Sequence, residues 1–352
     1  MKRKYSIVQV VLLLILTSIS SSCTAKGSTY PEPPSVQGTT NVLKVYFIDV
    51  GQGDSTFIQL ADGKTILIDG GNKADATVII NYLHSLNISS IDYLIATHPH
   101  EDHIGSLPAI IKDFNIGNIY MPKASANTKI FENLLLSIKE KGYKINTAAA
   151  GVKIIDTKDL KLTILAPNST EYKDVNNYSV VAKLIYKDTS FLFTGDAEDV
   201  SEKEMLKQND DLKADVIKIG HHGGRTSSTK DFLEEVAPKY AVISVGKDND
   251  YGHPHKETME RLSSLNLKIF RTDEQGTIIV SSDGTTLSIN KAPIVLKTNI
   301  KKVSEFYIGN KNSKIYHLTT CSGLPKLENQ IKLSSKPEAE NGGYKPCQIC
   351  KP

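Results

Sequence analysis

The chain has 352 residues, room for two domains at roughly 100–200 residues each. Its 39% apolar content excludes a disordered or fibrous protein. Lys and Arg number 42 against 39 Asp and Glu. Three of the basic residues, Lys2, Arg3 and Lys4, precede residue 23 with no acid beside them, so the remainder is neutral and a basic nucleic-acid footprint over the whole body is excluded.

The N-terminus predicts export, with its basic start, the apolar stretch Ile7 to Ile19, and then Ser20-Ser21-Ser22-Cys23. A cysteine directly after small residues is where bacterial lipoprotein signals are cut and lipidated, although Ser20 stands where such signals usually carry Leu. Residues 1–22 therefore read as a signal peptide and Cys23 as the lipidation site. The expectation is an exported chain, held by lipid on the outer side of the cell membrane or secreted. No later segment approaches the ~18 consecutive apolar residues of a membrane helix, which leaves the N-terminus as the expected attachment. Residues 24–41 hold three prolines and almost no aliphatic side chains, the composition of a flexible tether.

A folded body is predicted over residues 42–291. Its β-rich runs are Leu43–Asp49, Thr56–Leu60, Thr65–Ile68, Tyr93–Ala96, Asn118–Met121, Leu162–Leu165, Val180–Tyr186, Phe191–Thr194, Val216–Ile219, Ala241–Val245 and Thr277–Ser281. Helical periodicity occupies Ala74–Leu86, Ser106–Phe114, Thr128–Lys141, Ser201–Gln208, Thr229–Val236 and Lys256–Ser264. Strands that begin in hairpins and then alternate with helices predict an α/β architecture, two sheets covered by helices in a four-layer αββα sandwich.

The most informative string is Thr97-His98-Pro99-His100-Glu101-Asp102-His103, between an apolar strand and a helix. Four ligand-type side chains, His98, His100, Asp102 and His103, lie within six residues, which allows one loop to serve two cations. Imidazole with carboxylate suits Zn, Mn or Fe, and the absence of thiolate argues against a closed structural zinc site. Two adjacent cations imply hydrolysis, because they activate a water and stabilise both the attacking and departing oxygens.

HxHxDH resembles the signature of the metallo-β-lactamase superfamily, whose fold is an αββα sandwich with metals at one edge. Further blocks resemble the hydrolase domain of the competence channel protein ComEC: Ile48-Asp49-Val50-Gly51-Gln52-Gly53-Asp54-Ser55, Leu67-Ile68-Asp69-Gly70-Gly71, Asn176-Asn177-Tyr178-Ser179, Phe193-Thr194-Gly195-Asp196-Ala197-Glu198 and Ile219-Gly220-His221-His222-Gly223. The resemblance implies that His98 and His100 bind one metal, that Asp102 and His103 bind the other, and that Asp196 bridges them. Asp102 is thereby both a ligand and a catalytic candidate. His221 or His222 would complete the second site, with His221 preferred. No histidine lies between His103 and His221, where many superfamily members carry a further ligand, so water or Asn177 is expected beside the first metal. Asp69 would orient ligands or water, and Asp49 and Asp54 flank a Gly-Gln-Gly loop beside the metal edge. In Asn249-Asp250-Tyr251-Gly252-His253-Pro254, His253 is a candidate to protonate a leaving oxygen, and Arg225 to contact a substrate anion.

This resemblance implies a phosphodiesterase acting on DNA outside the cell, with DNA as partner and the DNA-uptake machinery as a further one. Two other readings stay open: a small-molecule hydrolase of lactonase, β-lactamase or phosphocholine esterase type on the same metals, and a non-enzymatic surface DNA-binding protein.

Residues 303–352 read as a separate module. His317-x3-Cys321 and Cys347-x2-Cys350 offer one imidazole and three thiolates, a closed tetrahedral set that suits one structural zinc; a disulfide would leave an odd cysteine. Phe306-Tyr307-Ile308-Gly309-Asn310, Ile315-Tyr316-His317-Leu318 and Gly343-Tyr344-Lys345-Pro346 resemble the metal-binding domain of the Ada DNA-repair protein. His317 stands where Ada carries a fourth cysteine, which argues for docking rather than methyl transfer. Nine Lys against four Glu in residues 301–352 would let the tail contact a phosphate backbone.

Overall fold

The computed structural model describes residues 42–208, 211–294, 306–319 and 321–352. The expected signal peptide, Cys23 and the tether lie outside the described residues, as does most of the stretch between the two expected domains.

The first sheet is built mainly from the N-terminal half, from β1 (Leu43–Phe47), β2 (Thr56–Gln59), β3 (Thr65–Ile68), β4 (Ser90–Ile95), β5 (Asn115–Met121) and β6 (Ile145–Thr147). The second takes β7 (Lys153–Asp156), β8 (Leu160–Ala166), β9 (Val181–Tyr186), β10 (Thr189–Phe193), β11 (Val216–Lys218), β12 (Tyr240–Ile243) and β13 (Lys268–Arg271). The chain then returns to the first sheet with β14 (Ile278–Ser282) and β15 (Leu287–Ile289), so the orders are β15-β14-β1-β2-β3-β4-β5-β6 and β13-β12-β11-β10-β9-β8-β7.

Each sheet begins as antiparallel hairpins and continues as parallel strands. In the first, β3, β4, β5 and β6 run parallel; in the second, β10, β11, β12 and β13 do. Parallel neighbours need crossovers, and helices supply several of them: α1 (Ala76–Ser85), α2 (Glu101–Ile104), α3 (Leu107–Asp113) and α4 (Lys129–Glu140) in the first half, α5 (Asp199–Lys207), α6 (Lys230–Val236) and α7 (Lys256–Ser264) in the second, while α8 (Thr272–Gln275) leads from β13 back to the first sheet. In α4 the Thr128 hydroxyl accepts from Phe131 N–H, satisfying one of the end donors that a helix leaves unpaired. Leu134 and Ile138, four residues apart, face inward, while Leu135 and Leu136 stay exposed.

Three apolar clusters set the layers. The central one joins both sheets through Val45, Phe47, Ile58, Leu162, Phe191, Phe193 and Val280. A second packs the first sheet against α1, α3 and α4 through Leu67, Ile79, Leu107 and Leu134. The third packs the other sheet against α5, α6 and α7 through Ile217, Met205, Phe232 and Leu262. The architecture is the expected αββα sandwich, and the inner faces of the strands alternate with the helix-facing ones because successive side chains point to opposite sides of a sheet.

The C-terminal module is a small sheet in the order β18-β16-β17-β19, from β16 (Tyr307–Asn310), β17 (Ile315–His317), β18 (Gln330–Leu333) and β19 (Lys345–Pro346), with α9 (Lys336–Asn341). Its buried core is Tyr307, Tyr316, Leu333, Ala339 and Tyr344. A core this small needs a covalent or metal staple to hold.

Candidate metal centre

The site lies where parallel strands of both sheets end. The loop after β3 carries Asp69, that after β4 carries residues 97–103, that after β10 carries Asp196, and that after β11 carries His221 and His222. Carboxyl ends of parallel strands converge on one side of a sheet, which is why open α/β folds place ligands there. Backbone bonds stitch the loops together: Asp54 N–H donates to Asp102 O, Gly70 N–H to His103 O, His221 N–H to Gly195 O, and Val180 N–H to Thr97 O. Gly53 is required at its position, since a Cβ there would lie 2.7 Å from Asp102 O. Asp69, His221 and His222 all have positive φ, of 60°, 50° and 52°, a strained placement for side-chain-bearing residues that concentrates at functional sites.

Hydrogen bonds fix the direction in which each imidazole faces. His103 Nδ1–H donates to Asp69 Oδ2 at 2.8 Å, turning Nε2 toward Asp196 Oδ2 at 3.2 Å. His222 Nδ1–H donates to the Ser244 carbonyl at 3.0 Å, turning Nε2 toward Asp102 Oδ2 at 3.1 Å and Asp196 Oδ2 at 3.5 Å. Thr97 commits its hydroxyl proton to Asp69 Oδ2 at 2.7 Å, so its oxygen is free to accept from His98 Nδ1–H at 3.1 Å. His98 Nε2 then faces His100 Nδ1 at 3.0 Å and lies 3.9 Å from Asp196 Oδ2.

The arrangement sets acceptors against acceptors. With one ring proton spent on Asp69 or Ser244, the inner nitrogens of His103 and His222 meet carboxylates with lone pairs, and His103 Nε2 and Asp196 Oδ1 are buried without hydrogen-bond partners. Only an added proton or a cation resolves this. Protonation is what the metal-free electrostatics give. Burial pulls His103 down, but Asp196, Asp102 and Asp69 push it well above its usual range, and His222, likewise lowered by burial, is raised to about 10 by Asp196 and Asp54. Burial raises Asp196, yet His103 and His222 hold it well below the carboxylate range. One ligand atom from each of Asp102, His103, Asp196 and His222 lies within 4.8 Å of all the others. This donor set fits a divalent cation.

His222, at 1% side-chain exposure, joins this group, whereas the preferred His221 does not. His221 stands toward the rim at 25% exposure, its Nε2 3.9 Å from Asp196 Oδ2 and its Nδ1 3.2 Å from Glu198 Oε1. The Asn177 carboxamide oxygen accepts from Ser201 N–H in the first turn of α5. Asp49 accepts from Gly51 N–H and closes the glycine loop. Arg225 is exposed, with its backbone N–H on His255 Nδ1. His253 is half-buried, its ring centroid 5.3 Å from His221 and 6.1 Å from His222. Burial, then His221 and His222, lowers its pKa to about 4, which favours the neutral imidazole.

Sequence reasoning passed over Lys218. Its ammonium lies 2.5 Å from Asp54 Oδ2 and donates to the Gly195 and Ile219 carbonyls, with Lys218 and Asp54 at 3% and 4% exposure. Burial raises the Asp54 carboxyl, but Lys218 and then His222 more than offset this and hold it low. Asp54 Oδ1 in turn lies 3.3 Å from His222 Nδ1. A lysine inside the apolar run Val216-Ile217-Lys218-Ile219 was the available signal. Glu198, Ser179 and Thr97 were missed too, since nothing local marks a carboxylate or hydroxyl as the partner of a distant imidazole.

In the tail, His317 Nδ1 lies 3.4 Å from Cys321 Sγ, and Cys321 and Cys347 Sγ are 3.9 Å apart and unbonded. Leu318, Gly323 and Ile349 donate backbone N–H groups to Cys350, Cys321 and Cys347 sulfurs, each at 3.4 Å. The N–H of Cys350 and that of Ile349 lower the Cys347 thiol despite its burial, whereas burial raises that of Cys350. Burial lowers the His317 pKa, which favours the neutral imidazole. One imidazole and three thiolates converging in this way fit a structural zinc.

Comparison with known proteins agrees with this geometry. The family model of the metallo-beta-lactamase superfamily matches residues 48–247, and that of the metal binding domain of Ada matches residues 293–352. The chain belongs to the metallo-beta-lactamase superfamily. It is 32% identical over 252 residues to ComE operon protein 3 of Bacillus subtilis (strain 168), covering 67% of this chain and 32% of that one. It is 30% identical over 240 residues to competence protein ComA of Neisseria gonorrhoeae, covering 68% and 32%. Recombination protein 2 of Haemophilus influenzae is 30% identical over 251 residues, covering 70% and 29%. The chain thus spans about a third of the length of the curated relatives it matches. These matches and the buried His/Asp cluster define a metal-dependent hydrolase class related to competence proteins, joined to an Ada-like zinc module.

Proposed function

We propose that the protein is an exported phosphodiesterase that hydrolyses DNA outside the cell membrane, anchored there through lipid on Cys23. The observation that carries the reading is the convergence of Asp102, His103, Asp196 and His222 within 4.8 Å at the open edge of the sandwich, in a chain whose relatives are named for competence and recombination. In this reading His98 and His100 hold one divalent ion, Asp102, His103 and His222 hold the other, and Asp196 serves both. Such a pair, Zn or Mn, would supply Lewis acidity and activate a water for hydrolysis.

The chain's own groups do the rest. Asp69 and Ser244 fix the inner nitrogens of His103 and His222, as outer partners of metal ligands do. Lys218 supplies a fixed positive charge beneath the carboxylates. Arg225, exposed four residues after His221, meets a non-bridging phosphate oxygen. The lysine-rich tail contacts the backbone of the same polymer and adds a salt-dependent share of the affinity.

The test is incubation of the full chain with plasmid, linear DNA and RNA in Mn²⁺, Mg²⁺ or Zn²⁺, beside the Asp102→Ala/His103→Ala variant. Metal-dependent cleavage that the variant loses supports the reading. A metal-loaded protein that leaves every polymer intact but turns over a chromogenic ester or β-lactam overturns it in favour of a small-molecule hydrolase. DNA retention that survives the double substitution, with no product, points instead to a binding protein. Membrane fractionation of Cys23→Ala tests the anchor, and an unchanged membrane fraction refutes it.

A further inference from the structure

The rim of the site carries an aromatic side chain that the hydrolytic groups do not use. Tyr251 is 66% exposed, and among the described residues every other Phe and Tyr is buried or half-buried. Single apolar side chains on a surface need no explanation in themselves, but this one is held in place. Asn249 Oδ1 accepts from the N–H groups of Tyr251 and His253 at 3.2 and 3.0 Å, and its Nδ2 donates to the carbonyls of Gly246 and His253 at 2.9 and 2.6 Å. Gly252, at φ 70°, completes the turn.

The Tyr251 ring lies along that of His253, with centroids 5.7 Å apart and an interplanar angle of 21°. His253 in turn stands 5.3 Å from His221. The tyrosine is therefore one ring removed from the histidine cluster, with its other face open. Charges of both signs flank it, Lys247 and Lys256 against Asp248, Asp250 and Glu257. The loop thus presents a flat ring without an excess of positive charge, which suits a planar uncharged group better than a phosphate.

We propose that Tyr251 is a stacking platform for a nucleobase of the strand whose phosphodiester sits at the metal centre. This rests on the nuclease reading and adds to it a subsite selective for base-bearing, unpaired strand. Stacking on an aromatic side chain is sequence-tolerant because every base has a π-face. The ring, and not the phenolic hydroxyl, is the working part.

The experiment measures binding and cleavage separately. Full-length wild type, Tyr251→Ala and Tyr251→Phe are titrated in metal-free buffer with a labelled oligothymidylate and with an abasic oligonucleotide of equal length, read by fluorescence anisotropy. The wild type and Tyr251→Phe should prefer the base-bearing strand by about 5- to 150-fold, the range of one base stack. Tyr251→Ala should lose that preference while binding the abasic strand as the wild type does. A preference that survives in Tyr251→Ala, an equal loss on both ligands, or no preference in the wild type overturns the proposal. Cleavage of the same strands in Mn²⁺ reads the nuclease activity. Tyr251-dependent preference without cleavage refutes the nuclease and keeps the platform; cleavage without that preference does the reverse.

Discussion

Removing the Lys218 ammonium isolates the charge balance beneath the metal centre. In Lys218→Met the Asp54 carboxylate, 4% exposed, keeps its burial but loses a partner 2.5 Å away. Leaving one member of a buried ion pair uncompensated costs about 3–5 kcal/mol. For a domain of this size, at roughly 2–4 °C per kcal/mol, the melting temperature should fall by about 6–20 °C. Asp54→Asn/Lys218→Met removes both charges and should recover stability to within about 1–2 kcal/mol of wild type, the remainder reflecting the Gly195 and Ile219 carbonyls left without a donor. The assay is urea and thermal unfolding by circular dichroism in chelator, which separates folding from metal binding. A loss below about 1 kcal/mol in Lys218→Met, or a double variant as unstable as the single, would refute the buried-pair account.

Three further outcomes are expected. Glu202 is buried and accepts from Ser228 and Thr229 N–H at 2.5 and 2.9 Å, and burial raises its pKa from 4.5 to about 7; its folded pKa lies above the unfolded one, so its contribution is full below pH 4.5 and lost as pH rises through 7. Against the non-titrating Glu202→Gln, wild-type stability in chelator should decline by up to about 3 kcal/mol between pH 4.5 and 8, and a pH-independent difference would refute this. Asp69→Asn should weaken divalent metal binding at the hydrolase site about 10- to 100-fold, measured by calorimetry, because His103 loses the carboxylate that aims it; unchanged affinity would contradict that role. Cys350→Ser should remove one zinc per chain by elemental analysis and abolish the dispersed amide resonances of residues 306–352 while those of the sandwich persist; retained zinc would refute the four-ligand set.

Much of the sandwich was legible because its signals are local. Thr65–Ile68 and Lys256–Ser264 were bounded at the residues where β3 and α7 begin and end, one by a β-branched apolar run between turns, the other by helical spacing. The strands passed over, β6, β7, β13 and β15, are short and largely peripheral. β6 exposes all three of its residues and β7 and β15 bury none, so none of the three carries the fully buried run of a central strand. Their pairing is decided by a neighbouring strand's open edge. The ligand-type side chains of residues 98–103 were equally legible, since they lie within six residues, on the loop after β4 and the first turn of α2.

What the sequence by itself determined is therefore whatever is encoded within a few residues: the hairpin and helix periods, the histidine loop, and the two cysteine-bearing pairs of the tail. The tertiary structure alone decided which distant groups meet. Asp102 and His222 are 120 residues apart and 3.1 Å from each other, and the Lys218 ammonium finds Asp54 across the two sheets. His221 and His222 are adjacent and identical in type, and their shared sequence context cannot rank them. Only the turn after β11, which sends one imidazole toward Ser244 and the carboxylates and the other toward Glu198, does so, because a side chain's direction is set by backbone dihedrals and by hydrogen-bond partners brought up from elsewhere in the chain.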